Sequence, residues 1–468
     1  MSLDHDIVIL GSGSTSFAAA LRAQSRGARV LMLEKSVLGG TCVNWGCVPS
    51  KTLIHAAQFR REAGLGAMIG LGTAREAIDF SALAAHKDGV VHHLRQTKYL
   101  DILRDVPGLT LVKGTARFID SHTLEVGGRR VTSDKFLIAT GGSPRVVEFP
   151  GLSGVDYLTS RSALLLRELP GSMVIVGGGV IALELGQMFR RFGTRVTVLE
   201  HGERVLPFCE VEPAYALQQA LIDEGMEIIP RAAVCSVGKA GDLTVVTAEV
   251  DGRQREFVTE RLLLALGTSP ASAGIGLDEA GVETDAKGFI RVDERMRTNV
   301  PGIWAAGDVV GGMMIATVGA REGIVAVDDM LDPGCGCTMD YLSAPMTIFT
   351  DPELGTVGYT EQGARGAGFE VVTNVLPVTD IPKAHVTGAT AGVIKMVADK
   401  PTGRLLGVHL ACHRGAELIN EAALAVRLRA TIDDLVNTLH VYPSMGEGLR
   451  LCAQGFSRDI RKLSCCAE

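Results

Sequence analysis

The sequence has no apolar run near the roughly 18 residues that a membrane-crossing helix requires, so no membrane partner is expected. Its opening residues, Met1-Ser2-Leu3-Asp4-His5-Asp6, contain no basic stretch followed by an apolar one. A signal peptide is therefore not expected, and a cytoplasmic location is. Blocks of like charge are also lacking, and the net charge is -7, which argues against nucleic acid as the main partner. The ten cysteines come without a secretory leader. In a reducing compartment they read as catalytic, metal-binding or buried free thiols, not as a structural disulfide framework. What is present suits a globular chain with a full core: 468 residues, 46% hydrophobic and 21% charged, with 56 glycines gathered at chain turns. At roughly 100–200 residues per domain, the length suggests three or four domains.

One pattern occurs twice. The apolar strand Ile7-Val8-Ile9-Leu10 leads into Gly11-Ser12-Gly13-Ser14-Thr15-Ser16, then an alanine-rich helix over 18–24 and a strand over 29–33 that ends on Glu34. Later, Met173-Val174-Ile175-Val176 leads into Gly177-Gly178-Gly179-Val180-Ile181-Ala182, a helix, and a strand over 195–199 ending on Glu200. In both copies the acid stands 23 positions after the first glycine. The glycines let the backbone turn tightly against a pyrophosphate, whose charge meets a helix N-terminus. The terminal acid suits an adenosine ribose hydroxyl. Two complete strand–turn–helix–strand–acid units predict two Rossmann-like dinucleotide-binding domains in an α/β fold. Ser16 and Ala182, at the third glycine position, are small enough for helix–strand packing. The runs ending Thr140-Gly141-Gly142-Ser143-Pro144 and Gly267-Thr268-Ser269-Pro270 read as exits from these domains, and Ile303 to Asp308 as another strand ending on an acid. Residues 332–337 read as a linker to an α+β domain with antiparallel strands and a helix over 416–429.

A second signal is Gly39-Gly40-Thr41-Cys42-Val43-Asn44-Trp45-Gly46-Cys47-Val48-Pro49-Ser50-Lys51. Cysteines five apart stand about 140° apart on one ideal helix and could not easily bond there. Gly46 permits a break, and Pro49 suits the first turn of a helix starting near Cys47. A thiolate at a helix N-terminus is favoured, and Lys51 falls on the same face.

On these motifs the chain resembles the glutathione reductase and dihydrolipoamide dehydrogenase family over nearly its whole length. The resemblance implies that the first unit binds FAD and the second NADPH or NADH. It assigns flavin contacts to Gly11, Gly13, Ser14 and Glu34, to Thr41, Lys51, Thr140 and Gly141, and to Gly307 and Asp308. It assigns nicotinamide-cofactor contacts to Gly177, Gly179, Glu200 and Gly267. Cys42 and Cys47 become the redox pair, Glu184 the acid that pairs with Lys51, and the last domain a dimerisation domain, so a homodimer is implied. The expected division is 1–145 for the first part of the FAD domain, 146–270 for the nicotinamide domain, 271–335 for the second FAD part and 336–468 for dimerisation.

Members that act on disulfides carry His-x-His-Pro near the C-terminus, the second histidine serving as acid/base from the other subunit. Here the stretch is His440-Val441-Tyr442-Pro443, with tyrosine in that place. A phenol with a pKa near 10 shuttles protons poorly at neutral pH. The tail carries adjacent Cys465 and Cys466, suited to a soft cation. Together these resemble the branch of the family that reduces Hg(II) to Hg(0). There the tail cysteines of one subunit pass thiol-bound Hg(II) to the inner pair of the other. A thioredoxin reductase-like enzyme explains the tail but not Tyr442. A dihydrolipoamide dehydrogenase-like enzyme explains Glu200 alone, and a thiol protein that sequesters metal needs no second nucleotide unit. Glu200 favours NADH, whereas the mercury branch generally uses NADPH, and Arg204 lies close enough in sequence to meet a phosphate. Cys335-Gly336-Cys337 reads as a surface linker or an accessory metal site. Cys209, Cys235, Cys412 and Cys452 read as buried or incidental thiols, and His92 and His93 as solvated.

Overall fold

The computed structural model describes residues 5–66, 70–71 and 77–462. Cys465 and Cys466 lie outside the described residues. Among those described, no helix is long and apolar enough to cross a membrane.

The run Ile7–Leu10 is buried at every position, as a strand covered on both faces must be. It is central in a parallel five-stranded sheet ordered Ile303–Ala305, Phe136–Ile138, Ile7–Leu10, Val30–Glu34, Leu109–Lys113. The chain thus leaves this sheet after Ile138 and rejoins it at Ile303. The helix after the first strand, Ser14–Ser25, starts nearer the glycine turn than its alanine content alone predicts. Helix Ala316–Leu331 packs on it through Gly319 and Gly323. A Cβ at Gly323 would stand 2.6 Å from the carbonyl of Thr15, so only glycine lets the two helices meet so closely.

A second parallel sheet has the order Glu227–Ile229, Arg195–Leu199, Ser172–Val176, Arg261–Leu264, Tyr157–Thr159. The two segments read as domain exits pair with each other: Gly142–Pro144 lies antiparallel to Thr268–Pro270. The C-terminal part is an antiparallel five-stranded sheet, Met346–Ile348, Glu353–Gly358, Leu405–Cys412, Val393–Asp399, Val371–Pro377, packed against helix Gly415–Arg427. That helix stops two residues short of the expected end, because Arg429 takes the left-handed conformation at φ 57°.

A buried ionic cluster joins this sheet to the second nucleotide unit. Lys395 reaches Glu210 and Glu212 at 2.9 Å and Glu361 at 3.0 Å. A buried ammonium needs such partners, since burying it alone costs several kcal/mol.

Candidate active site

The redox segment is shaped by glycines and a short break. Gly40, at φ 63°, presses on the first glycine turn, where a Cβ would stand 2.7 Å from the Cα of Gly13. Asn44 Nδ2 donates to the carbonyls of Leu38 (2.9 Å) and Gly40 (2.8 Å) and holds the turn. Helix Gly40–Trp45 ends at Gly46, whose φ −120° and ψ −114° leave helical space, and helix Cys47–Gly66 begins on Cys47 itself. Cys42 and Cys47 therefore sit on different helices, and the five-residue spacing is no obstacle to contact.

The pair is electrostatically unequal. The hydrogen bond from Cys42 and the nearby Lys51 ammonium hold the Cys47 thiol down at about 7, against the opposing effect of burial. The same hydrogen bond, together with burial, pushes Cys42 well up. Cys47 is thus the more readily ionised of the two, and Cys42 the one that keeps its proton.

Lys51 Nζ pairs with Glu184 Oε2 at 2.7 Å. The other carboxylate oxygen of Glu184 accepts the Phe349 backbone N–H at 2.9 Å, and the Phe349 ring lies 4.7 Å from Lys51 Nζ. Buried Glu184 thus joins the redox helix, helix Val180–Phe192 of the second nucleotide unit, and the C-terminal sheet.

Two clefts meet at Cys47. The first is lined by Gly11, Gly13, Ser14, Glu34, Thr41, Cys42, Thr140, Gly141 and Asp308. Glu34 accepts from Ser12 Oγ (2.5 Å) and the Ser36 N–H (2.6 Å) at the end of its strand. The hydroxyl of Thr140 is buried with no hydrogen-bond partner, and burial pushes the Asp308 carboxyl up. A glycine turn at a helix N-terminus, an unpaired buried hydroxyl and a desolvated carboxyl fit a phosphate-bearing, polyhydroxylated cofactor such as FAD. Gly307 contributes its backbone: at φ 81° its N–H donates to Glu322 Oε2 at 2.7 Å. Glu322 also accepts from Tyr341 Oη at 2.8 Å, so this buried acid holds the turn that presents Asp308. Sequence reasoning missed Glu322. Its one signal was an acid on the apolar face of a helix.

The second cleft is lined by Cys47, Lys51, Val180, Ile181, Glu184 and Arg161, whose guanidinium lies 3.6 Å over the Trp45 ring. Gly177, at φ 105°, makes the second tight turn. There Glu200 accepts the N–H groups of Gly178 and Gly202. Gly179 begins helix Val180–Phe192, and Gly267 takes φ 95° at the domain exit.

Arg204, close to Glu200 in sequence, is engaged within its own loop. Its guanidinium donates to four carbonyls of its own loop, those of Val205 (3.3 Å), Leu206 (2.6 Å), Pro207 (3.1 Å) and Cys209 (2.8 Å). Holding that loop uses the donors that a phosphate would need.

Tyr442 does not line either cleft of its own chain. It is 46% exposed, beside Leu439 and Val441, which are more exposed still. His440 is engaged, with Nε2 2.9 Å from Glu421 Oε1 and Nδ1 2.9 Å from the Thr438 carbonyl oxygen. Burial pushes Cys209, Cys412 and Cys452 up to about 12, the state of inert core thiols. Cys235 is half-buried, while His92 and His93 are exposed. Among the described residues no three potential ligands gather into a metal site.

Comparison with known proteins agrees with this arrangement. Residues 5–323 match the model of the pyridine nucleotide-disulphide oxidoreductases, and residues 344–453 match that family's dimerisation domain. The chain is 40% identical to a mercuric reductase of Staphylococcus aureus, over 99% of this chain and 84% of the relative. It is 38% identical to one of Streptomyces lividans, over 99% and 98%. Among solved structures, the HOCl-induced flavoprotein disulfide reductase of Escherichia coli superposes with a TM-score of 0.85 at 32% identity, covering 96% of this chain and 99% of that one. LpdA of Mycobacterium tuberculosis gives 0.86 at 28%, covering 97% and 100%. The family implies FAD and a pyridine nucleotide as cofactors. With both of its models matched and its relatives aligned over 99% of its own length, the chain belongs to the pyridine nucleotide-disulphide oxidoreductase family, as a flavoprotein disulfide oxidoreductase with a dimerisation domain.

Proposed function

We propose that this enzyme reduces Hg(II) to Hg(0), taking the metal from thiol complexes through Cys465 and Cys466 to Cys42 and Cys47. The observation that carries the reading is the pairing of an activated Cys47 thiolate with the absence of a histidine acid/base: tyrosine stands in its place, and His440 is bonded to Glu421. Dithiol–disulfide exchange needs a proton shuttle, whereas reduction of a dithiolate-bound metal removes no substrate hydrogen. When bound in the first cleft, FAD would supply two-electron transfer between NAD(P)H and the cysteine pair. The chain's own work is to bind and to position. Cys42 yields its proton as the metal displaces it, and Lys51 keeps Cys47 ionised. Glu184 fixes Lys51, Thr140 and Asp308 offer partners to cofactor hydroxyls, and the two glycine turns receive pyrophosphates. The dimerisation domain supports a homodimer, in which Tyr442 and the tail would serve the partner's cleft. Parallel assays with thiol-bound Hg(II), thioredoxin and lipoamide test the reading. Reduction of thioredoxin without any Hg(0) would replace it with the thioredoxin reductase alternative.

The thiolate has a measurable consequence. In holoenzyme carrying a reduced pair, the long-wavelength absorbance of a thiolate beside oxidised flavin should fade as pH drops through about 7, where Cys47 takes up its proton. Lys51→Met removes the cation and leaves Glu184, so the midpoint should move towards the free-thiol value of about 8.5. A midpoint unmoved in Lys51→Met would contradict the electrostatic role.

NADH should be used at least as well as NADPH. Glu200 is fixed by two backbone N–H groups where a ribose hydroxyl would meet it and a 2′-phosphate would be repelled. Arg204 is spent on its own loop. The kcat/KM values for the two cofactors decide the matter, and a large NADPH preference would overturn the expectation.

A further inference from the structure

Cys335 and Cys337 stand apart from everything assigned so far. They follow helix Ala316–Leu331, whose first residue lines the flavin cleft. That helix of sixteen residues, at about 1.5 Å each, spans roughly 24 Å between the cleft and the loop that carries the two thiols. The loop between is tied down on both sides. Arg295 Nη1 donates to the Pro333 carbonyl (3.1 Å), Cys335 N–H to the Asp332 carbonyl (3.0 Å), and Met339 N–H to the Glu294 carbonyl (3.2 Å). Gly336 adopts φ 65°, a conformation that disfavours any side chain, and this folds the two cysteines back on one another. The Cys337 N–H lies 3.2 Å from Cys335 Sγ, and the Cys335 thiol is within hydrogen-bonding reach of the Cys337 thiol. Neither is in the buried core: both are half-buried at the surface. The Cys335 thiol and the Asp328 carboxylate, itself paired with Arg22 at 2.7 Å, push the Cys337 thiol up, with Arg321 opposing them.

We propose that Cys335 and Cys337 form a second mercury site, a preorganised surface pair that takes Hg(II) from monothiol complexes. Soft cations prefer thiolate sulfur over nitrogen and oxygen. Exchange is balanced. Two sulfur–mercury bonds to the incoming monothiols break, two to Cys335 and Cys337 form, and the two cysteine protons leave on the released thiols. Nothing is oxidised or reduced. The advantage over monothiols lies in the loop. Once one sulfur has bound, the second bond is intramolecular and its partner is already held close. The distance from the flavin makes this a place of capture and not of reduction, so the inference stands independently of the reaction proposed above.

The test is made on FAD-loaded protein in which Cys42, Cys47, Cys465 and Cys466 are all alanine. It is incubated with mercuric chloride and excess glutathione, then passed through gel filtration. About one mercury per chain should remain with the protein, since only a two-sulfur site withstands excess monothiol. Adding Cys335→Ser or Cys337→Ser should lower retention at least tenfold, because one thiol alone has no chelate advantage. In the otherwise unaltered holoenzyme, the Cys335→Ser/Cys337→Ser pair should bind one equivalent fewer while flavin content and Hg(II) reduction stay unchanged. No retained mercury in the four-alanine protein, or retention unaffected by the serine changes, would overturn the proposal. Loss of Hg(0) formation in wild type would bear only on the reductase reading.

Discussion

Cys47→Ala holoenzyme is expected to keep its flavin and lose Hg(II) reduction by about a thousandfold or more, some 4 kcal/mol of transition-state stabilisation. The loss should fall on kcat and kcat/KM alike, as expected for a group that acts at the reacting centre. Cys47 opens the long helix and lies where the two clefts meet, while Cys42 is pushed towards the neutral thiol. Removing Cys47 therefore removes both the more readily ionised thiol and the one sulfur of the pair that lines both clefts. Cys42→Ala gives the contrasting result. Cys47 can then form no disulfide, and Lys51 and the helix N-terminus still favour its ionisation. This variant should show the long-wavelength thiolate absorbance without any reductant, whereas Cys47→Ala should never show it. If both variants behaved alike, the unequal roles assigned to the two sulfurs would be wrong.

Replacing Cys465 and Cys466 together by alanine should lower turnover of Hg(II) bound to bulky or tight thiols by about a hundredfold or more. Hg(II) in a thiol-rich compartment arrives already bound to two sulfurs, so each inward step is an exchange of one thiolate for another. Cys47 lies at the meeting of the two clefts, beside the Lys51–Glu184 pair, and a bulky thiol complex has to enter a cleft whole to reach it. Adjacent terminal cysteines can meet such a complex outside and carry only the metal in. A small, weakly liganded mercury complex should still be reduced, because it reaches Cys42 and Cys47 directly. Nicotinamide oxidation by artificial acceptors and the flavin spectrum should stay unchanged. Full activity of the double variant with thiol-bound Hg(II) would remove the delivery role.

The parts legible in the sequence were those whose cause is local. A strand running into a glycine turn and a helix has a short-range signature, so both nucleotide units, with Glu34 and Glu200 at their strand ends, stood out. Gly46 and Pro49 likewise marked the helix that starts at Cys47. What escaped depends on contacts between distant segments. Glu322 matters because its helix lies beside Gly307 and Tyr341, and nothing within its own helix reveals that. Arg204 stands close to Glu200 in sequence, but the fold-back of its loop, which brings its guanidinium onto the Leu206 and Cys209 carbonyls, has no local signal. The stacking of Arg161 on Trp45 joins residues from opposite sides of one cleft. Tyr442 had a recognisable place in a motif, yet within one chain it lies outside both clefts, on an exposed surface. The helix over 415–427 ended early because of a single left-handed residue, which apolar periodicity does not report.

The central claim is that electrons from NAD(P)H leave this enzyme on mercury. The most direct measurement supplies purified holoenzyme with NADH or NADPH, Hg(II) and a small thiol in a sealed vessel, and follows cofactor oxidation together with mercury vapour. The account predicts one Hg(0) released per nicotinamide oxidised, with release abolished in Cys47→Ala. Nicotinamide oxidation without mercury vapour, the electrons going instead to a disulfide or to oxygen, would contradict it.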